Sequence, residues 1–254
     1  MRWALLSYVI VAVAAVDGFL PTCQVTCCDM GRNPRCKRVG CNQRKCVRGL
    51  HHVQCSTGEK RGGTQLKGAK VTKSGAWKLE KSYTYFLDQG LVQAMVLLFN
   101  SSGSTPTVLE LGAGMGCYTN ALREAGMQAR GFDGAPNVGE LTSNLVGHAD
   151  LTKSQKLGNA DWVFSFEVGE HVPQQFESAL LDTMTSHADK GLVLSWNPTA
   201  NGRGHVNPRN TSYLIDEVEK RGFRYQGGLA DTLRRAITTV YWVGDSIMVF
   251  HRRP

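Results

Sequence analysis

The 254-residue sequence predicts an α/β fold, a doubly wound and mostly parallel sheet with helices on both faces, preceded by a cysteine-rich N-terminal segment. Two observations predict it. From Lys78 onward, short strand-like runs alternate with stretches of helical apolar spacing, the pattern of parallel strands joined by covering helices. The run TVLEL at 107–111 also passes directly into three alternating glycines, a turn that lets a ligand approach the backbone at a strand end.

The elements follow in chain order. Arg2 precedes an apolar run from Trp3 to Val16, with small residues up to Gly18. Residues 1–18 are therefore expected to be a cleaved secretory signal, because the run is shorter than the roughly 20 apolar residues of a spanning helix. An uncleaved anchor or a buried helix is the competing reading. No stable membrane span is expected after cleavage. Residues 19–56 hold seven of the eight cysteines, Cys23 to Cys55, with no CxxC pair. Behind a signal, such density reads as a disulfide-stapled segment, zinc being the alternative. Seven is odd, so one thiol stays free or pairs between chains unless it meets Cys117.

Charge separates the same regions. Residues 1–81 contain 15 Lys and Arg against 4 Asp and Glu, whereas residues 82–254 contain 14 against 17, so the basicity belongs to the N-terminal third. The expected destination is the secretory pathway or the extracellular space. A plastid is the alternative, since a basic, acid-poor stretch opening at Phe19 resembles the bipartite presequences of algae with secondary plastids. Residues 57–77 are rich in Gly, Lys and Thr and read as a linker or basic arm.

The remaining domain, 78–254, opens with helical spacing over Tyr83 to Phe99, ended by the turn cluster NSSGSTP. Strand TVLEL leads through the glycine loop into helix CYTNALREAG, and QARGFD and DWVFSFEV are strands. Helix FESALLDTMTSHA, strand GLVLSW, helix TSYLIDEVEKRG and strands FRYQ and SIMVFHRR complete the alternation. Ligands of such sheets bind beyond the carboxyl ends of the strands, where the strand order reverses.

The glycine loop separates two chemistries. In a dinucleotide fingerprint anchored at Gly112 and Gly114, the third glycine would fall on Cys117. The pattern is instead Glu110-x-Gly112-x-Gly114-x-Gly116, which resembles the first motif of class I S-adenosylmethionine-dependent methyltransferases. The resemblance spans roughly residues 80–254. It implies a Rossmann-like, seven-stranded sheet with an antiparallel last strand, and S-adenosyl-L-methionine as cofactor. It further implies Glu110, Gly112, Ala113, Gly114 and Gly116 around the methionine portion. By the same resemblance, Asp133 is expected at the ribose hydroxyls, Asp150 and Leu151 beside the adenine, and Glu167 at the strand end where substrate meets the methyl group.

The stretch FEVGEHVP, 166–173, carries two carboxylates and an imidazole at the end of the fourth-strand position. It is similar to an element of ubiquinone-pathway O-methyltransferases. Glu167, Glu170 and His171, with His205 from the loop after the next strand, also resemble the metal site of small-RNA 2′-O-methyltransferases. That likeness implies Mg2+ or Mn2+ on these four residues, and His171, His205 or Glu167 as the catalytic group. The competing reading has Glu170 capping a helix N-terminus and His171 bonded to backbone, with no metal. The function implied is O-methylation of a small hydroxylated substrate, metal-assisted or not. Two alternatives stand. One is a nucleic-acid ribose 2′-O-methyltransferase whose basic arm grips phosphate; the other is a non-catalytic secreted scaffold with a methyltransferase fold.

Overall fold

A computed structural model describes residues 55–56, 71–79, 85–100 and 104–254. The expected signal, most of the cysteine-rich segment and residues 57–70 lie outside the described residues. The chain divides into Met1–His52 and Val53–Pro254, and the second unit is the one described below.

A seven-stranded sheet forms the centre of this unit. Its strands are β3 (Thr107–Leu111), β4 (Gln128–Asp133), β5 (Val146–His148), β6 (Ala160–Phe166), β7 (Ala188–Ser195), β8 (Phe223–Tyr225) and β9 (Met248–Arg252). Their order is β5-β4-β3-β6-β7-β9-β8, parallel throughout except for β9, which runs antiparallel between β7 and β8. The fold is the predicted Rossmann-like one, with the last strand reversed. Within this sheet the path runs from β3 outward to β5, then returns to lay β6 on the other side of β3. The strand order therefore reverses between β3 and β6, and the carboxyl ends of those two strands form the crevice.

Alternation along the central strands feeds two cores. Val108, Trp162, Phe164 and Val193 point to one face, under α1 (Gln89–Phe99), α2 (Cys117–Glu124), α6 (Gly227–Ala236) and α7 (Tyr241–Ser246). Leu109, Leu111, Val163, Leu192 and Leu194 point to the other, under α4 (Glu177–Ser186) and α5 (Thr211–Glu219). A short helix α3 (Val138–Leu141) lies between β4 and β5.

Three details differ from the sequence reading. Helix α1 begins at Gln89 rather than near Tyr83, because Asp88 is its N-cap, accepting from Leu91 N at 2.8 Å. Asp88 also accepts from the backbone of Thr238, Thr239 and Val240. Burial works to raise its pKa, but these four N–H groups outweigh burial and hold it below the usual carboxylate range. Ahead of the cap, Tyr85–Phe86 forms strand β2, paired in parallel with β1 (Cys55–Ser56), and Cys55 is disulfide-bonded to Cys117. Finally, β5, α3, α6 and α7 are additions; a three-residue strand and a four-residue helix carry no readable period, and α6 opens on two glycines, poor helix formers. Among the described residues, no helix is long and apolar enough to cross a membrane.

Candidate active site

Three positive φ values build the loop after β3: Gly112 at 80°, Gly114 at 52° and Gly116 at 77°. Side chains are excluded at two of these positions by neighbours as well as by φ. A Cβ on Gly112 would lie 2.1 Å from Val168 Cγ2, and one on Gly116 2.7 Å from Val146 Cγ2. Over Gly114 the nearest atom is Tyr85 Cδ1 at 4.0 Å, so the backbone there faces open space. That space is a cavity of about 240 Å³, and Gly112, Gly114, Asp133, Leu151, Glu167 and His171 all line it.

Asp133, at the end of β4, accepts from Gly114 N at 2.8 Å and Ala135 N at 2.7 Å. Burial raises its pKa against those two bonds. Its two oxygens offer about four lone-pair sites in all, so capacity remains for hydroxyl donors in the cavity.

Other expected cofactor residues stand back from this space. Glu110 is buried and accepts from the backbone N–H of Thr119 at 2.8 Å and from the Thr119 hydroxyl, tying β3 to the first turn of α2. Burial, the largest influence, pushes its pKa up to about 8. Asp150 is engaged by Thr152 N at 3.1 Å, Thr152 Oγ1 at 2.6 Å and Lys153 Nζ at 3.1 Å, so only its neighbour Leu151 reaches the cavity wall. Ala113 and Gly116 shape the loop without lining the cavity.

Across the crevice, β6 ends at Phe166 and Glu167 takes a φ of 53°. For a residue with a Cβ this left-handed conformation costs about 1–3 kcal/mol and persists only where neighbours hold it. Ser195, the last residue of β7, supplies that hold. Its Oγ accepts from Glu167 N at 3.0 Å and donates to Glu167 Oε1 at 2.9 Å, while Asn197 Nδ2 donates to Oε2 at 3.3 Å. Glu167 lines the cavity, and burial raises its pKa.

The next turn, the 3-10 segment Gly169–His171, packs so tightly that a Cβ on Gly169 would lie 2.1 Å from the Trp196 ring. It places Glu170 with no exposure at all, and neither carboxylate oxygen makes a well-formed hydrogen bond among the described residues, although the Glu167 carboxyl and the Asn197 backbone lie close by. Burial first, and the charge of nearby Glu167 second, push the Glu170 pKa up to about 9. Glu170 therefore does not cap a helix. His171 Nδ1 bonds Gly204 O at 3.1 Å and His205 Nδ1 bonds Thr199 O at 2.7 Å. Both Nε2 atoms then stand 4.0 Å from Glu170 Oε1. The expected bond from His171 to backbone exists, and it is what turns the opposite ring nitrogen toward the carboxylate. Burial lowers the His171 pKa to about 4, leaving a neutral imidazole with a free lone pair.

This donor set fits a divalent cation. A separation of 4.0 Å is too long for a hydrogen bond and somewhat longer than the roughly 3–3.5 Å between adjacent ligand atoms on an ion held at about 2.0–2.2 Å, so the three groups would draw together slightly to share one. One ligand atom from each of Glu170, His171 and His205 lies within 4.8 Å of the others. Backbone partners on each Nδ1 are the arrangement that orients metal-ligating imidazoles. Glu167 is beside this trio but not in it, its oxygens being engaged by Ser195 and Asn197.

Residues 71–79 form a wall that sequence reasoning missed. A bridge between Val71 and Trp77 folds them into a tight turn, and Ser74 to Trp77 and Leu79 line the cavity. Trp77 meets the His171 ring edge-on at 5.4 Å between centroids, and Asn137 clamps both backbone groups of Leu79.

No family model matches the chain, and no curated protein matches it. Solved structures do. CalS10, an amino pentose methyltransferase from Micromonospora echinaspora with S-adenosylmethionine bound, is 13% identical over 63% of this chain and 89% of its own, with a TM-score of 0.50. A TehB-like S-adenosylmethionine-dependent methyltransferase from Corynebacterium glutamicum gives 15%, 65%, 88% and 0.49. Magnesium protoporphyrin IX methyltransferase from Synechocystis PCC 6803, with bound S-adenosylhomocysteine, gives 19%, 64%, 82% and 0.48. At these identities the likeness is one of fold: the chain has the Rossmann-like fold seen in CalS10.

Proposed function

We propose that this chain is an S-adenosylmethionine-dependent methyltransferase that methylates a hydroxyl group of a small molecule, with Mg2+ or Mn2+ held by Glu170, His171 and His205. One observation carries the reading. A cavity at the point where strand order reverses has the open glycine loop and Asp133 in one wall, and Glu167 and His171 in the other. The first wall suits a ribose and a methionine chain; the second suits an acceptor hydroxyl.

The sulfonium makes the methyl group electrophilic, so the protein's task is to align the acceptor oxygen behind it and take its proton. Alignment can be worth about 7–11 kcal/mol in favourable cases. Glu167, held by Ser195 and Asn197 and with its pKa raised by burial, is the group best placed to accept the proton. His171 is a poor proton acceptor with a pKa of about 4, and serves better as a ligand. A bound cation would acidify the acceptor hydroxyl and stabilise its alkoxide. Two imidazoles among three donors favour Mn2+ over the oxygen-preferring Mg2+.

The small cavity supports a small acceptor rather than a nucleic acid strand. The lining contributed by Ser74 to Trp77 supports counting residues 71–77 with the catalytic domain rather than with a linker. The Cys55–Cys117 bond supports a route through the secretory pathway, where disulfides persist. The test is production of S-adenosylhomocysteine by the full chain from a panel of phenols, catechols and sugar alcohols, in chelator and then in Mn2+. Turnover of a hydroxylated acceptor that Mn2+ stimulates supports the reading; methylation of amines alone, indifferent to chelator, removes its finer part.

A further inference from the structure

His205 comes from the loop joining β7 to α5, a stretch containing Gly202 and Gly204. Glycines there give the chain freedom, yet a ligating imidazole has to be held within a few tenths of an ångström. Something must fix the loop, and the fixing point is two residues beyond the histidine.

Asn207 is 2% exposed, and three of its groups are bonded. Its N–H donates to Glu170 O at 2.9 Å, beside Val206 N–H on the same oxygen at 2.8 Å. Its carbonyl accepts from Trp196 Nε1 at 2.7 Å. Its Nδ2 donates to Glu177 Oε2 at 2.9 Å. Glu177, itself buried at the start of α4, also accepts from Arg209 Nε at 2.5 Å and Tyr213 OH at 2.5 Å. Burial would raise the Glu177 pKa, but its three donors outweigh burial and keep it ionised. The main chain next to His205 is thus tied directly to the main chain of Glu170, and the tie is braced from behind by an anion on a different helix.

We propose that Asn207, braced by Glu177, is the positioning residue that sets His205 against Glu170 and thereby fixes the cation affinity of the site. The inference rests on the cation reading above. Asn207 does not line the cavity, so it acts through His205 rather than on cofactor or acceptor. Partners that orient a metal ligand typically cost about 10–100-fold in affinity when removed.

The test is a Mn2+ titration of the full chain, following the free-ion signal by electron paramagnetic resonance, with S-adenosylmethionine affinity measured in parallel by calorimetry. Asn207→Ala should weaken Mn2+ binding about tenfold or more, and change cofactor affinity by less than about threefold. Glu177→Gln keeps the shape and an acceptor for Asn207, so it should fold even where Asn207→Ala does not, and should lose part of the Mn2+ affinity. Equal Mn2+ binding by wild type and a folded Asn207→Ala overturns the proposal, as does unchanged binding by Glu177→Gln. Proportional loss of Mn2+ and cofactor affinity also overturns it, since that marks general loosening. A wild-type chain that binds cofactor but no Mn2+ refutes the cation reading itself, and this inference with it.

Discussion

His205 Nε2 stands 4.0 Å from Glu170 Oε1, although the two residues belong to loops that follow different strands. The carboxylate is fully buried, and its oxygens make no well-formed hydrogen bond among the described residues. An unsatisfied buried carboxyl is costly to keep, which is the signature of a group retained for a ligand rather than for stability.

That cost has a pH signature. Glu170 and Glu110 titrate at about 9 and about 8 in the folded chain, against an ordinary 4.5. The folded chain therefore holds protons that the unfolded chain has released, and the stability this confers is lost as pH climbs from 4.5 toward 8 and 9. His171, lowered from 6.5 to about 4, contributes in the opposite sense, its stability being lost as pH falls through that window. The slopes oppose each other below pH 6.5, and only the decline remains above it. In chelator, urea midpoints of the full chain should fall between pH 6.5 and 9, and Glu170→Gln should flatten part of that fall. A flat wild-type profile would contradict the assigned burial of both carboxyls.

Asp133 offers the cleanest separation of cofactor from acceptor. Asp133→Ala removes the carboxylate from the cavity wall and also the acceptor that holds Gly114 N. S-adenosylmethionine affinity should drop at least about tenfold, the value of a lost bond or two to a charged group. Calorimetry on the folded variant reads this directly, and an unchanged dissociation constant would remove Asp133 from the cofactor site.

Trp77 should govern the acceptor instead. It lines the cavity, and its ring meets His171 edge-on. Trp77→Ala should raise the acceptor KM about tenfold, in line with losing a buried aromatic contact, with cofactor affinity nearly constant. Initial-rate kinetics at saturating cofactor distinguish this from a loss confined to kcat.

The disulfide makes a third separable claim. Cys55 and Cys117 are 62 residues apart, and a crosslink of that span typically stabilises by about 2–4 kcal/mol. The paired Cys55→Ser, Cys117→Ser variant should unfold at correspondingly lower urea. Identical midpoints would mean that the two thiols are not joined in the folded protein.

Much of this architecture is legible in the sequence, and the exceptions share a cause. β3, β6 and β7 are readable because each is buried on both faces, and an uninterrupted apolar run survives without partners being known. The start of α1 is not, because Asp88 finds its decisive partners at Thr238 to Val240, far along the chain. The wall at 71–79 has a linker's composition, and Gly75 is required there because its φ is 86° and a Cβ would lie 2.0 Å from His171 O, a contact the local sequence does not reveal. In the site, Gly112 and Gly114 follow from their spacing, and Glu170, His171 and His205 follow from a resemblance. Asn207 gives no such signal, since a buried Asn in a Gly- and Pro-containing loop reads as turn chemistry.

The central claim is that the cavity between β3 and β6 binds S-adenosylmethionine, and the most direct measurement is its calorimetric titration into the full chain in the presence of chelator. Saturable one-to-one binding, weakened at least about tenfold by Asp133→Ala, is the predicted result. A folded chain that shows no binding, or binds equally well without Asp133, would contradict it and leave a Rossmann-like fold put to another use.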